Sequence, residues 1–410
     1  MRLLVALLLL PLAAFAQPPT QTLRGRVVDA VSLQPLADVT VALPGTAPAL
    51  GTTTDSAGTF RLSGVPVGRY RVRLSRVGWE THEVADLLLE AGKEQVLDVR
   101  LRERTAVLAA LVVDARREVA PAPVSVRSIA VEETRRFPAT FQDPARLAAL
   151  YPGVVAANDQ GNALVVRGNS PNGVLWRLED VDIVNPNHLS NTGTLSDRPT
   201  FNGGGVNILS AQLLDNSYFL TGAFPAGYGN ALGGVFDMRL RRGNDEHHEF
   251  TVQAGLLGID LAAEGPFSAN GKASFLVNYR YSTLGLLGAL GVELGDEAIA
   301  FQDLSFNVTL PAGRAGTFTL FGMGGTSRND FEAQRDTTIW EFEKDRFDIR
   351  FDSRMGALGA THDVSFGEKT SLRTSLAASA VENERTGARL AGDFSPQPLE
   401  YDRDERAIAA

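Results

Sequence analysis

The C-terminal part of the chain, from about residue 245 onward, alternates apolar and polar side chains. In segments such as 273–281 and 303–310, nearly every second residue is apolar. Because successive side chains of a β-strand point to opposite faces, each segment predicts a strand with one apolar and one polar face. Seven such strands can be counted. Alternation alone fits a soluble sandwich, whose polar face meets water, and a membrane barrel, whose apolar face meets lipid.

The connections between these strands alternate in length. Short connections are predicted at 267–272, 311–316 and 367–370, and long, mostly acidic ones at about 283–300, 327–354 and from 382 onward. Tight turns at one end and long loops at the other are typical of outer-membrane barrels. Residues 244–410 carry 15 basic and 26 acidic side chains, against 24 and 22 in residues 1–243, so the acidic excess would lie in those outer loops.

The segment 22–101 has a different pattern, in which short predicted strands are separated by turns. Turn-forming clusters such as Pro44-Gly45 and Asp55-Ser56-Ala57-Gly58 separate the predicted strands. Strands at roughly 8–12-residue spacing predict a sandwich or barrel. The predicted strands are Leu23–Asp29, Val39–Leu43, Thr59–Leu62, Tyr70–Leu74 and Gln95–Leu101.

The first residues predict that the protein is exported to the cell envelope. Met1-Arg2 precedes the wholly apolar run Leu3–Leu10, and Ala14-Phe15-Ala16 follows. A basic start, an apolar run under about 15 residues and an A-x-A exit describe a secretory signal peptide, with cleavage expected after Ala16. A membrane helix would need about 20 apolar residues, and Pro11 interrupts this run.

Composition excludes several function classes. The chain of 410 residues contains no cysteine, which removes disulfides, thiolate nucleophiles and Cys-ligated metals. Its net charge of −9 argues against nucleic acid as a partner. None of the five histidines begins an H-x-x-E or H-E-x-x-H arrangement, and no P-loop or G-x-S-x-G elbow is present. We therefore expect no enzyme activity, catalytic residue, metal site or cofactor.

Motifs within 22–101 resemble the carboxypeptidase regulatory-like domain. They are Gly25-x-Val27-x-Asp29, Pro35-Leu36, Thr54-Asp55-x-x-Gly58-x-Phe60, Gly68-x-Tyr70 and Gly78-Trp79. The resemblance implies a transthyretin-like β-sandwich without catalysis.

Residues 121–243 resemble the plug domain of TonB-dependent outer-membrane receptors. The motifs are Leu147–Gly153 at the end of a helix predicted over Asp143–Leu150, Val166-Arg167-Gly168, Asn185-Pro186-Asn187-His188, Phe224-Pro225-Ala226-x-Tyr228-Gly229 and the strand Gly233–Leu240. Where that family usually has Leu-Asp-Gly, this chain has Leu178-Glu179-Asp180. We expect Glu179, Asp180 and Asp182 to lie in a solvated turn.

The predicted fold is mainly β: a transthyretin-like β-sandwich, an α+β plug domain, and the first strands of an antiparallel transmembrane β-barrel. The divisions are a signal peptide (1–16), the sandwich (22–101), a linker (102–120), the plug (121–243) and a partial barrel of about seven strands (245–410). Plugged transporters close with about 22 strands, so we expect the N-terminal part of a longer protein.

The resemblance implies energised uptake of a scarce solute such as a siderophore, glycan or peptide. It also implies a location in the outer membrane with the N-terminal domain in the periplasm. The implied partners are a TonB–ExbB–ExbD-type inner-membrane complex, outer-membrane lipid, the solute, and a surface lipoprotein in some members. The alternative is a soluble secreted β protein for adhesion or carbohydrate binding.

Two sets of residues are candidate contact sites. The loops Asn169–Gly173 and Asn185–Asn191 follow apolar strands and are rich in amides, which suit hydrogen bonding to a polar neutral ligand. The alternative is that their asparagines only occupy turns. The candidate ligand residues are Asn169, Asn172, Asn187, His188 and Asn191.

The second set is the apolar run that precedes the plug. The resemblance implies that a TonB-contacting segment lies there, and strand addition to the partner would use Leu111, Val112, Val113 and Asp114. The alternative is that this run is the last strand of the sandwich.

Overall fold

We describe the chain from a computed structural model. The structure describes residues 19–104, 126–129, 131–137, 140, 143–157, 161–189, 202–215, 217–255, 258–269, 271–282, 297–340, 343–367 and 369–410. The chain divides into two compact units, one within residues 1–114 and 364–372 and the other within 115–363 and 373–410.

The first unit contains a β-sandwich of two sheets. One sheet has the order β4-β1-β7 with β8 also paired to β1, and the other has the order β3-β2-β5-β6. β1 pairs antiparallel with β4 and parallel with β7 and β8. The strands are β1 (Thr20–Asp29), β2 (Thr40–Leu43), β3 (Leu50–Thr53), β4 (Thr59–Pro66), β5 (Gly68–Ser75), β6 (His82–Leu89), β7 (Gln95–Val96) and β8 (Val99–Leu101).

Alternation builds the core of this sandwich. Val39, Val41, Val72 and Leu74 are fully buried, while the residues between them point outward. Gly25 lies where β1 passes the chain at Leu97, and a Cβ there would stand 1.8 Å from the Leu97 carbonyl oxygen. The predicted sandwich is confirmed.

The second unit begins with a mixed α+β region that corresponds to the predicted plug. Its five-stranded sheet has the order β13-β12-β17-β16-β9, with β12 and β17 parallel, and two further pairs are β10-β11 and β14-β15. The elements are β9 (Val126–Ile129), α1 (Val131–Arg136), α2 (Pro144–Ala148), β10 (Val154–Ala156), β11 (Leu164–Val166), β12 (Leu175–Leu178), β13 (Val181–Ile183), β14 (Asn187–His188), β15 (Val206–Asn207), β16 (Ser217–Leu220) and β17 (Val235–Met238).

Aromatic stacking and a capped helix organise this region. Phe236 stacks on Trp176 with ring centroids 4.4 Å apart and also contacts Phe219, and all three are buried. Asp143 caps α2 by accepting a hydrogen bond from the Ala145 amide at 2.8 Å, and Pro144 begins the helix. None of the described helices has the length and apolarity needed to cross a membrane.

The rest of the second unit is an antiparallel sheet in which the described strands follow one another in chain order from β18 to β25. The strands are β18 (Glu249–Ala254), β19 (Gly258–Pro266), β20 (Ser274–Ser282), β21 (Glu297–Pro311), β22 (Thr317–Phe331), β23 (Phe347–Ser365), β24 (Ser371–Leu390) and β25 (Pro396–Ala409).

The strand count and the loop assignments near the end of the chain were wrong. Eight strands are described instead of seven, because residues from 382 onward continue β24 and form β25. Arg403 on β25 binds Glu382 on β24 at 2.7 Å and also Glu405. These positions of β24 and β25 carry charged side chains, so the apolar alternation that would have indicated strands is absent.

The two faces of this sheet have the reverse of the usual polarity. Phe250, Val252 and Leu376 are 78, 76 and 64% exposed, whereas Asn278 and Asp303 are buried at 0 and 2%. A soluble sandwich would bury the apolar face and expose the polar one. The observed arrangement is that of a transmembrane barrel wall, with apolar side chains outward and polar side chains toward the interior.

Candidate functional site

The plug residues contact the inner face of the eight-stranded sheet through buried polar groups, and this interface is the candidate site. One end of it is an amide cluster inside the plug. Asn162 Nδ2 donates to Asp143 Oδ2 at 2.9 Å and to Asn187 Oδ1 at 2.8 Å. Asn187 Nδ2 donates to Asn185, whose own amide donates to the Gly203 carbonyl. The side-chain amides of these three asparagines all donate to partners within the plug, so the cluster fixes loop positions.

His188 extends this cluster to the sheet. Its Nε2 lies 2.9 Å from Asp303 Oδ2, and Arg280 donates to the same oxygen at 2.7 Å. The same nitrogen, Arg280 Nη2, also donates to the carbonyl oxygens of Asn207 and Ile208 in the plug. Arg280 Nε donates to Asp303 as well, at 3.0 Å. We call His188, Asp303 and Arg280 the histidine anchor.

Burial keeps the histidine neutral. Burial lowers the pKa of His188, and the hydrogen bond and negative charge of Asp303 offset only part of that effect. Gly325 leaves room for the ring, since a Cβ there would stand 2.5 Å from His188 Cε1. The neutral imidazole therefore packs against the strand and donates to a carboxylate whose charge Arg280 compensates.

A second anchor lies at the turn between β12 and β13. Arg373, on the sheet, binds Asp180 through Nε at 2.8 Å, and also binds Glu179 and the neighbouring Asp363. Arg239, on the plug, binds the other side of Asp180. We call Glu179, Asp180, Arg239 and Arg373 the arginine anchor.

The expectation of a solvated turn was wrong for Glu179, whereas the side chain of Asp180 is 38% exposed. Glu179 is 8% exposed and accepts a hydrogen bond from the Leu240 amide at 2.7 Å. Both residues have positive φ, 52° and 74°, as a two-residue hairpin turn requires. The glycine of the usual motif is therefore replaced by Asp180, which tolerates this backbone and adds a carboxylate for two arginines.

The charges in the arginine anchor stabilise one another. Burial alone would raise the pKa of Asp180, but the hydrogen bond to Arg239 and the charges of Arg239 and Arg373 lower it overall. Burial alone would lower the pKa of Arg239, yet Asp180, Asp237 and Glu179 raise it. Asp180 and Arg239 are therefore both ionised at neutral pH.

Further contacts spread along the interface. Arg241 binds Glu264 through both terminal nitrogens at 2.8 Å, and Ser210 donates to Asp260 at 2.7 Å. Farther round the sheet, the Val184 amide donates to Ser379 Oγ at 3.0 Å. Polar contacts thus reach from β19 to β24.

The predicted ligand residues do not form one cluster. Asn169 and Asn172 are exposed in the turn around the short 3₁₀ helix Pro171–Gly173, where Asn169 Nδ2 bonds the Val166 carbonyl. Asn187 and His188 are 1 and 2% exposed, so their placement in an outward loop was wrong. They belong to the amide cluster and the histidine anchor. Asn191 lies outside the described residues, as do Leu111, Val112, Val113 and Asp114.

Sequence reasoning missed the sheet residues of both anchors. Arg280, Asp303 and Arg373 lie at polar positions of their strands, where the alternation does not distinguish them from their neighbours. The available signal was a full charge at a lumen-facing position, because a charge facing a packed interior requires a partner. The identity of that partner depends on long-range register.

Parts of the chain are similar to known proteins. Residues 22–102 match the family model of the carboxypeptidase regulatory-like domain. Residues 22–102 are such a domain. The chain is also 28% identical over 259 residues to the TonB-dependent transporter Oar of Myxococcus xanthus, covering 58% of this chain and 22% of that protein. The resemblance to TonB-dependent receptors with an N-terminal regulatory-like domain is thereby confirmed, over a chain that spans about a fifth of the relative's length.

Solved structures with partial likeness include a siderophore receptor and a ferric enterobactin receptor. PirA of Acinetobacter baumannii is 18% identical with a TM-score of 0.42, over 70% of this chain and 43% of that one. A variant of the ferric enterobactin receptor PfeA of Pseudomonas aeruginosa is 16% identical with a TM-score of 0.39, over 73% of this chain and 46% of that one.

Proposed function

We propose that this chain is the N-terminal part of a TonB-dependent outer-membrane receptor that takes up a scarce solute with energy from the inner membrane. The observation that carries the proposal is the reversed sheet, apolar on its exposed face and polar on the face that contacts residues 121–243. Lipid suits the first face, and the second suits a removable plug.

The plug contacts are suited to reversible opening. A typical hydrogen bond contributes about 0.5–1.5 kcal/mol net, because water replaces the lost partner once the groups are exposed. The arginine anchor can therefore be hydrated as it separates. Pulling on an N-terminal segment would break such contacts in turn and open a path beside the sheet.

Location is the first test. The complete gene product is expressed in a Gram-negative host, and outer membranes are separated from periplasm and medium. We expect recovery in the outer membrane, resistant to washing with high salt. Recovery in periplasm or medium would contradict the proposal and support the soluble adhesion or carbohydrate-binding alternative.

Plug movement is the second test. The 410-residue sequence contains no cysteine. A pair of cysteines introduced at Val184 and Ser379 would join the plug to the sheet across an observed hydrogen bond. A control pair at Ser128 and Tyr218 joins two paired strands within the plug. We expect oxidation of the first pair alone to stop energised uptake of labelled siderophores, oligosaccharides or peptides, with reduction restoring it.

The TonB contact is proposed at Leu111–Asp114, on sequence grounds. Strand addition uses backbone donors, so Val112→Pro should abolish uptake while sparing surface binding of the solute, and Val112→Ala should be mild. Uptake at the normal rate in the proline variant would assign the contact to another segment.

Solute contact is proposed at Asn169 and Asn172, which the fold leaves exposed. Their replacement by Ala should weaken solute binding without changing the amount of receptor in the membrane. The buried Asn187 is the matched control: Asn187→Ala should lower stability through its broken hydrogen bonds. Unchanged affinity in the double variant would leave the exposed pair with a turn role only.

A further inference from the structure

Four buried side chains on neighbouring strands of the eight-stranded sheet each leave an oxygen atom without a hydrogen-bond partner. Asp303, Ser305 and Asn307 occupy successive inward positions of β21, and Asn278 on β20 lies opposite Ser305 in the strand register. All four are at most 3% exposed. The oxygens without a partner among the described residues are Asp303 Oδ1, Ser305 Oγ, Asn307 Oδ1 and Asn278 Oδ1. We call these four residues the oxygen row.

Three of these side chains are held in place by their other polar atoms. Asn307 Nδ2 donates to the Arg241 carbonyl at 2.8 Å. Asn278 Nδ2 donates to the carboxylate of Asp260. Asp303 is fixed through Oδ2, as part of the histidine anchor. The amide donors are therefore used, and the remaining oxygens are acceptors in fixed positions.

Acceptors of this kind lower the stability of the closed state. Taking an acceptor out of water without giving it a donor is unfavourable, and native proteins contain few such buried atoms. The oxygen row places four of them at adjacent register positions that face the plug. A molecule that carries hydrogen-bond donors would satisfy these oxygens as it lay against the strands.

The inward face of the neighbouring strands is apolar by comparison. Met323, Met355 and Val381 are buried there, on β22, β23 and β24. They belong to one hydrophobic cluster with plug residues such as Trp176 and Phe236. A plug that moves away therefore exposes apolar side chains along β22 to β24, but hydrogen-bond acceptors along β20 and β21. A polar solute would gain more from the second surface.

The strands around the oxygen row also retain a negative charge. Asp303 is balanced by Arg280, at 2.7 Å. Asp260 is 8% exposed, and within the described part of the chain it accepts hydrogen bonds from two neutral groups, Ser210 Oγ at 2.7 Å and the amide of Asn278. Its charge has no cationic partner there, so it would repel an anion that passed along β20 and β21.

We propose that the oxygen row contacts the transported solute as it passes the plug, and that this solute is uncharged and rich in hydroxyl groups, as a neutral oligosaccharide is. The inference rests on the proposed function and narrows its substrate. Hydroxyl groups can donate to the fixed amide and carboxylate oxygens. An anionic solute would meet acceptors and the like charge of Asp260.

The first test measures charge selection in the complete receptor, purified in detergent, with Ser305→Cys as the reporter. Methanethiosulfonate reagents of similar size and of positive, negative or no charge modify the new thiol when a low urea concentration opens the plug locally. We expect the cationic and neutral reagents to react about tenfold faster than the anionic one. Adding Asp260→Asn should remove this difference. Ala377→Cys, in the apolar cluster on β24, is the matched control without the preference.

The second test measures the class of solute with the complete receptor in vesicles at the same urea concentration. Neutral dextran oligosaccharides should enter about tenfold faster than carboxymethylated ones of equal length. Asn307→Leu should slow entry of the neutral form about fivefold. Ser305→Ala should slow it less, and serves as the second variant should Asn307→Leu fail to fold. Ser353→Ala is the control, because this buried hydroxyl already donates to Asn383, and entry should be unchanged.

Four results would overturn the proposal. They are labelling of Ser305→Cys only on complete unfolding, equal rates for cationic and anionic reagents, equal entry of neutral and carboxymethylated oligosaccharides, and equal entry through Ser305→Ala and Ser353→Ala, which would leave the row to water alone. The proposed function fails separately: recovery outside the outer membrane, or uptake that ignores the cross-link between Val184 and Ser379, refutes it. Entry of the anionic form through a correctly located receptor refutes only the oxygen row.

Discussion

The sandwich and the eight-stranded sheet use the same alternation of side chains in opposite ways. In the sandwich, Val72 and Leu74 are buried between two sheets while Arg71 and Arg73 face outward. In the eight-stranded sheet the aliphatic side chains are outward, and the buried face carries carboxylates and amides, among them Asp303.

The difference teaches what each region needs for stability. The sandwich closes its own apolar core, so its free energy of folding comes from removing that surface from water. The buried face of the larger sheet carries charged and polar side chains. Without partners these would destabilise the fold, because an unpaired charge in the interior is strongly destabilising. The plug supplies those partners, so the sheet and the plug depend on one another.

The largest effect is expected at the buried carboxylate. Asp303→Ala leaves Arg280 inside the interface without its counter-charge, which should lower the free energy of unfolding by roughly 3–5 kcal/mol. Urea unfolding followed by the fluorescence of Trp176, in the plug, measures it. Asp352→Ala is the control: this carboxylate is in exposed ion pairs and should cost at most about 1 kcal/mol. Equal costs would remove the distinction between the two faces.

Leucines on the two sheets should respond differently. Leu74→Ala opens a cavity in the sandwich core and should cost roughly 2–5 kcal/mol, whereas Leu376→Ala trims an exposed side chain and should leave the plug and sandwich intact. Thermal unfolding in detergent, with Trp79 as the sandwich reporter, compares them. A large loss from Leu376→Ala in detergent would indicate that its face is buried by protein.

An added charge gives the reverse comparison. Leu358→Lys places a cation on the proposed lipid face and should cost roughly 2–4 kcal/mol near the bilayer midplane. Thr40→Lys, on the exposed face of the sandwich, should change stability by less than about 0.5 kcal/mol. Folding equilibria of the complete receptor in vesicles measure both. Tolerance of Leu358→Lys would argue against lipid contact.

The arginine anchor should be weaker and sensitive to salt. Arg373→Gln removes a partly exposed partner of Asp180, and we expect a loss of about 1 kcal/mol. Salt screens such pairs, so the difference from the unchanged receptor should shrink at 1 M salt. Hydrogen exchange of the β12–β13 turn reports on it. A loss that does not depend on salt would mean that packing, not charge, holds the turn.

The smallest expected effect concerns pH. Because the pKa of His188 is lowered in the folded state, the unfolded chain binds more protons once the pH falls below the ordinary histidine value of about 6.5. Stability should therefore decrease from pH 7 to pH 5.5, and His188→Gln should decrease less over that range. Urea midpoints at several pH values measure this. Parallel slopes for both proteins would show that other groups dominate.

Element types could be predicted where they depend on local sequence signals. The α2 helix was predicted over Asp143–Leu150 and is observed as Pro144–Ala148, since its cap and proline are local signals. β25 was missed because its side chains pair with charges on β24, and such pairing leaves no period-two apolar pattern.

The sequence by itself determined the alternating strands, the regulatory-like domain and the resemblance to plugged receptors, all from neighbouring residues. Only the tertiary structure decided that the polar face of the long strands is the buried one, and that Asn187 and His188 point into the interior. It also joined Glu179 to Arg373 across 194 residues. Such pairs depend on the register of distant strands, which no local spacing encodes.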